Sequence, residues 1–186
     1  MRAVRRVVCA GAVALATVAA SASVAAAAPK EVSTDRFAKT VCGVYTDLQN
    51  AHEEYNNAYV ALPTADPAAV QAQIGELTNG LVDDVSALRS KLKKVYPAVD
   101  DGKKISRLFV RNFKEIETEV SSALETLQAV DPNGATFTAD LTTFEVAINL
   151  FDTKTSDPFT KVRDQDVIAG FDDEKSCDEV VTIIGG

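Results

Sequence analysis

Two cysteines, a single histidine and a run of nine cations are the residues of this chain whose chemistry could decide what it does. Cys42 and Cys177 form no C-x-x-C arrangement, and no neighbouring group is placed to depress a thiol pKa, so a redox-active pair is the weaker reading. In an oxidising compartment the two thiols most simply pair with each other, giving a structural bridge that closes about 135 residues. Chain entropy values such a loop at roughly 5 kcal/mol, an upper figure. His52 lies four residues after Leu48 and three before Tyr55, at the margin of an apolar helical stripe. A lone histidine there reads as a boundary residue with one hydrogen-bond partner, and with one histidine there is no His-rich metal site.

The cations are less bland. Arg89, Lys91, Lys93, Lys94, Lys103, Lys104, Arg107, Arg111 and Lys114 face only Asp100 and Asp101 within the same 26 residues, a net +7. Lys104, Arg107, Arg111 and Lys114 are spaced to share one stripe of a helix. Such a cluster reads as an electrostatic contact with an anionic surface or partner, such as envelope polymers or lipid headgroups. The blander reading, which carries more weight, is that it pairs with the chain's own acidic C-terminal region, or with nothing.

No G-x-S-x-G elbow, P-loop, dinucleotide fingerprint or Glu-x-x-His pair occurs. Acidic groups such as Asp83-Asp84, Asp164/Asp166 and Asp172-Asp173-Glu174 lack the spacing of a calcium loop and read as solvated helix faces and loops. No catalytic residue, metal or cofactor is expected, and a non-enzymatic role is.

The N-terminus bears on the compartment. Arg2, Arg5 and Arg6 precede an uncharged stretch from Val7 to Ala28 that ends in small residues, the three parts of an export signal. The stretch is long enough to span a bilayer, but alanine dominates it and contributes little to insertion, so cleavage is expected rather than anchoring. The cut falls after Ala27, within a residue or two. Arg5-Arg6 leaves twin-arginine export as a minority route. Cys9 begins the apolar stretch rather than ending it, which does not suit a lipid-attachment cysteine. Losing three arginines moves the net charge from −8 to −11. A chain so acidic is a poor general ligand for nucleic acid. The expected organisation is a signal over residues 1–27 and one domain over 28–186, secreted or envelope-associated, with no transmembrane anchor after processing.

Apolar residues at helical spacing must position these groups. A first stripe runs from Phe37 to Leu62, with Ser33 or Thr34 to cap it and Pro63 to stop it. A second follows Asp66-Pro67, an N-cap acid and an N1 proline, and runs from Val70 to Val95, with Gly75 and Gly80 as internal flaws. A third runs from Ile105 to Leu127, between Asp100-Asp101 and the Asp131-Pro132-Asn133-Gly134 turn. A fourth carries Leu141, Phe144, Ile148 and Phe151. A shorter segment after Asp157-Pro158 holds Phe159, Val162 and Val167 and ends at Gly170. Ser176 and Glu179 have capping-box spacing, and Val180–Ile184 fits either a strand or a helix end. The fold class is all-α: an up-down helical bundle of four to five helices with one disulfide.

The Ala-rich signal, Thr40-Val41-Cys42 in the first helix, the Pro97–Lys104 hairpin and the late Cys177 together resemble small secreted helical proteins of actinobacteria, a group largely without an assigned function. The resemblance implies the bundle and the bridge and carries over no active residue. The function expected is binding of a partner or anionic surface at the cell envelope. The alternative is a carrier that holds an apolar small molecule between the helices, lined by the phenylalanines.

Overall fold

A computed structural model describes residues 28–63, 66–149 and 157–184. Among them are seven helices: α1 (Thr34–Val60), α2 (Pro67–Leu92), α3 (Gly102–Gln128), α4 (Phe137–Asn149), α5 (Asp157–Lys161), α6 (Gln165–Asp173) and α7 (Lys175–Ile184). Two short strands, β1 (Lys30–Val32) and β2 (Val95–Pro97), complete the described elements. The export-signal expectation for residues 1–27, Cys9 included, and the placing of Phe151 lie outside the described residues.

Local chemistry sets the helix starts. Ser33 Oγ accepts from the Arg36 N–H at the start of α1. Asp66 Oδ1 accepts from Ala68 and Ala69 N–H groups at 3.0 and 3.4 Å, with Pro67 in the first turn of α2, where its missing donor is harmless. Asp131 makes the turn before α4 through its side chain to the Asn133 N–H and its carbonyl to the Gly134 N–H. Asp164 caps α6 by accepting from Asp166 and Val167, which divides the segment after Asp157 into two helices and carries the second to Asp173, beyond Gly170. Helix α2 stops at Leu92, short of Val95, which the apolar stripe had included; Val95 is taken up by β2 instead. The Val180–Ile184 run is helical, as part of α7, and Val180 is buried.

The strands are the element that periodicity did not announce. β1 pairs with β2 in parallel, Lys30 opposite Val95 and Val32 opposite Pro97. The Lys30 N–H donates to the Lys94 carbonyl and the Ala98 N–H to the Val32 carbonyl, both at 2.8 Å. The chain then folds tightly into α3: a Cβ on Gly102 would stand 1.9 Å from the Pro97 carbonyl oxygen, so only glycine fits.

Helix α2 packs between α1 and α3, α3 also holds α4 and α5, and α6 and α7 lie against α1. The centre is aromatic. Phe37, Tyr45, Phe109, Phe113, Phe159 and Phe171 meet largely edge to face with centroids 5.0–6.3 Å apart. Each such side chain taken fully from water contributes about 1.5–3 kcal/mol, with about 0.5–1.5 more for a well-oriented ring pair. The Tyr45 hydroxyl is buried but satisfied, donating to Asn112 Oδ1 at 2.8 Å. Cys42 and Cys177 are both buried and bonded to each other, with Cα atoms 5.0 Å apart across 135 positions, so the bridge fastens α7 to α1.

Candidate functional site

The Arg89–Lys114 cations run from the last turn of α2, through the turn that the two strands close, to the middle of α3. Lys93 is the C-cap of α2. Lys103 and Arg107 lie one turn apart on α3, with Arg111 and Lys114 further along the same helix. All of the residues expected to contact an anionic surface except Arg89 are exposed: Lys93, Lys94, Lys103, Lys104, Arg107, Arg111 and Lys114.

Their partners divide them. Arg89 Nη1 stands 2.6 Å from Glu117 Oε2 between α2 and α3, a contact at ion-pair distance but outside good hydrogen-bond geometry. Lys91 reaches Asp47 on α1 at 2.8 Å, and Lys104 reaches Asp101 at 3.4 Å. Arg89 therefore belongs to the helix interface rather than to the exposed cluster. Among the described residues, no carboxylate lies within 4.0 Å of the charged ends of Lys93, Lys94, Lys103, Arg107, Arg111 and Lys114. Lys103 instead places its Nζ 5.2 Å from the centroid of the Tyr96 ring, a cation–π contact.

Two clefts open at this end. One, of 540 Å³, brings Lys93, Lys103 and Arg107 together with Tyr96, Pro29 and Val110. The other, of 380 Å³, sets Asp100, Asp101 and Lys104 beside Lys161, Arg163 and Asp164. The C-terminal region thus meets the basic end with an acid, Asp164, and with two cations of its own. These were missed because they stand some fifty positions further on, in a segment whose charge is otherwise acidic. Tyr96 and Pro29 were missed too. The only signal for Tyr96 was its place in the apolar run that ends at Pro97, and nothing local showed that the N-terminal strand would return here.

The other candidates are structural in their surroundings. His52 is buried, with Nε2 3.4 Å from Asn56 Nδ2. Among the described residues no group of three or more His, Cys, Asp or Glu side chains could hold a metal ion, and no helix is long and apolar enough to cross a membrane. Phe37, Phe109, Phe113, Phe159 and Phe171 pack with Tyr45 as one cluster. The apolar clefts of 420 and 290 Å³ lie instead on either side of α4, touching Phe144, and both open to solvent. Beside the second, the Tyr59 hydroxyl donates to Glu145 Oε1 at 2.7 Å, and burial together with that carboxylate pushes the phenol pKa up.

Compared with known proteins, the chain matches no family model, and no curated protein or solved structure matches it significantly.

Proposed function

We propose that this chain is exported and acts without catalysing a reaction, by holding an anionic partner or surface of the cell envelope against its basic end. In this reading residues 1–27 are removed and 28–186 form one domain. Its main helices, four to five in number, run up and down as a bundle, with the last short helices fastened by Cys42–Cys177. The disulfide and the lack, among the described residues, of a helix able to cross a membrane are both compatible with an exported protein.

The observation that carries the reading is the charge asymmetry in its structural setting. Residues 89–114 hold +7, while the rest of the processed chain holds −18. Six of those cations are exposed, from the end of α2 to the middle of α3, with no carboxylate beside them among the described residues. Exposed like charges repel, and fixed anions relieve that repulsion while drawing the protein in by long-range attraction. The acidic remainder orients the approach, since only one end is attracted. Binding of this kind needs no cofactor.

The test is adhesion of the processed protein to anionic liposomes or wall polymers, compared with a Lys104→Gln, Arg107→Gln, Arg111→Gln variant. The variant should lose adhesion and keep its fold, because exposed substitutions shift stability by no more than about 0.5 kcal/mol. Unchanged adhesion would remove the basic end from the function. A small loss of stability in its place would assign those cations to intramolecular pairing, each pair being worth about 0–1 kcal/mol.

A further inference from the structure

Resting on that reading of the basic end, we propose that its contact is a discrete site for a phosphorylated polyol or sugar, in the cleft between α2, α3 and the N-terminal strand.

Three features separate this cleft from a diffuse charged patch. The first is convergence. Lys93 comes from the end of α2, and Lys103 and Arg107 from the start of α3. The turn between them is drawn tight by the glycine that lets α3 begin against the Pro97 carbonyl. The second is charge. Among the described residues no acid lines the cleft, while Arg89, Lys91 and Lys104, which do not line it, each have a carboxylate partner. Three cations around one concavity favour a phosphoryl group over a lone carboxylate. Lysine serves as a point charge for phosphate oxygens, and the arginine fork can take two of them at once.

The third feature is the remainder of the lining. Tyr96, Val110 and Pro29 present carbon surface beside the cations. Pro29 is there because β1 is hydrogen-bonded alongside β2. A volume of 540 Å³ exceeds what a bare phosphate ion fills and lies within the range of small-molecule sites. The phosphoryl oxygens would meet Lys93, Lys103 and Arg107, and the carbon skeleton would lie against Tyr96 and Val110. Lys103 is already oriented by its position over the Tyr96 ring. The same chemistry is offered by a phospholipid headgroup and by a phosphodiester-linked polyol polymer.

Two variants, each lacking three charges, test the site. One replaces Lys93, Lys103 and Arg107 with Gln, and the other Arg36, Lys39 and Lys175, exposed cations outside the 89–114 run. Free glycerol phosphate and inorganic phosphate are titrated by calorimetry. Adhesion is measured to phosphatidylcholine vesicles with and without phosphatidylglycerol, and circular dichroism checks the fold. The proposal expects glycerol phosphate to bind the native chain and the second variant alike, more tightly than inorganic phosphate does. The first variant should lose about tenfold or more in affinity, the loss expected from even one charge-assisted hydrogen bond. Competition by free glycerol phosphate against the vesicles would give the lipid headgroup as a source. Glycerol phosphate binding without vesicle adhesion would support the site with a soluble or polymeric source. If the native chain adheres to the vesicles but glycerol phosphate does not bind it, the surface reading stands and the cleft is overturned. Inorganic phosphate binding as tightly as glycerol phosphate would overturn the role given to Tyr96 and Val110.

Discussion

The backbone N–H of Lys30 donates to the carbonyl of Lys94 at 2.8 Å. This bond holds the segment before α1 alongside the strand that follows α2, more than sixty positions later, and so builds the N-terminal residues into the basic end. Parallel strands need a long crossover between them, and here the crossover is α1 and α2 together. The pairing turns a charged hairpin into a cleft with a wall. It also brings Ala28 and Pro29 to the cleft.

Processing is checked by intact mass or N-terminal sequencing of the protein from its culture medium. The mature chain should start between Ala26 and Lys30. Recovery of the whole chain in the membrane fraction would show that Val7–Ala28 is an anchor.

The bridge should hold α7 against α1 in solution. Non-reducing peptide mapping should find Cys42 joined to Cys177. Changing both cysteines to Ala should lower unfolding stability by about 2–5 kcal/mol in a urea titration, the usual cost of losing a native bridge in a small secreted domain. An unchanged midpoint would contradict this.

Two helical glycines should respond in opposite directions. Gly80 is exposed and a Cβ there meets nothing within 4 Å, so Gly80→Ala should stabilise by up to about 1 kcal/mol through helix propensity. Gly102→Ala drives a methyl into the Pro97 carbonyl oxygen and should cost about 1–3 kcal/mol, the scale of overpacking. Thermal melts of the two variants check the pair.

These contrasts show how far the residues speak for the structure. Asp66-Pro67 and Asp131-Pro132-Asn133-Gly134 marked boundaries because the chemistry there is local: a side chain caps the N–H groups next to it. The stripe from Ile105 to Leu127 reads clearly because its apolar residues recur on one face, and nearly all of them are buried. Val95 matched the spacing of α2 but went to a strand, since periodicity cannot see a partner arriving from Lys30–Val32. The site divided in the same way. The nine cations were visible as a run, but the separation of Arg89, Lys91 and Lys104 from Lys93, Lys103 and Arg107 depends on Glu117, Asp47 and Asp101. The last of these was in view within the run, but the first two lie on other parts of the fold. Arg163 and Lys161 joined that end only through tertiary packing.

Alkaline pH should unfold the protein through its tyrosines. Burial is the leading cause that raises the phenol pKa of Tyr45, Tyr55 and Tyr59 above its ordinary value near 10. In the unfolded chain these groups lose their protons first, so the stability they contribute is whole below about pH 10 and falls as pH rises above it. Ultraviolet titration should show these three phenols ionising together with loss of helix. Full ionisation of all three with helicity intact would contradict their burial.

The most direct test of the functional account is cosedimentation of the processed native protein with anionic vesicles or isolated envelope over a range of salt. Exposed charges are screened beyond roughly 8 Å at physiological ionic strength. The account therefore predicts clear adhesion at low salt, despite a net charge of −11, that weakens steeply as salt approaches the physiological range. No adhesion at low salt would contradict it.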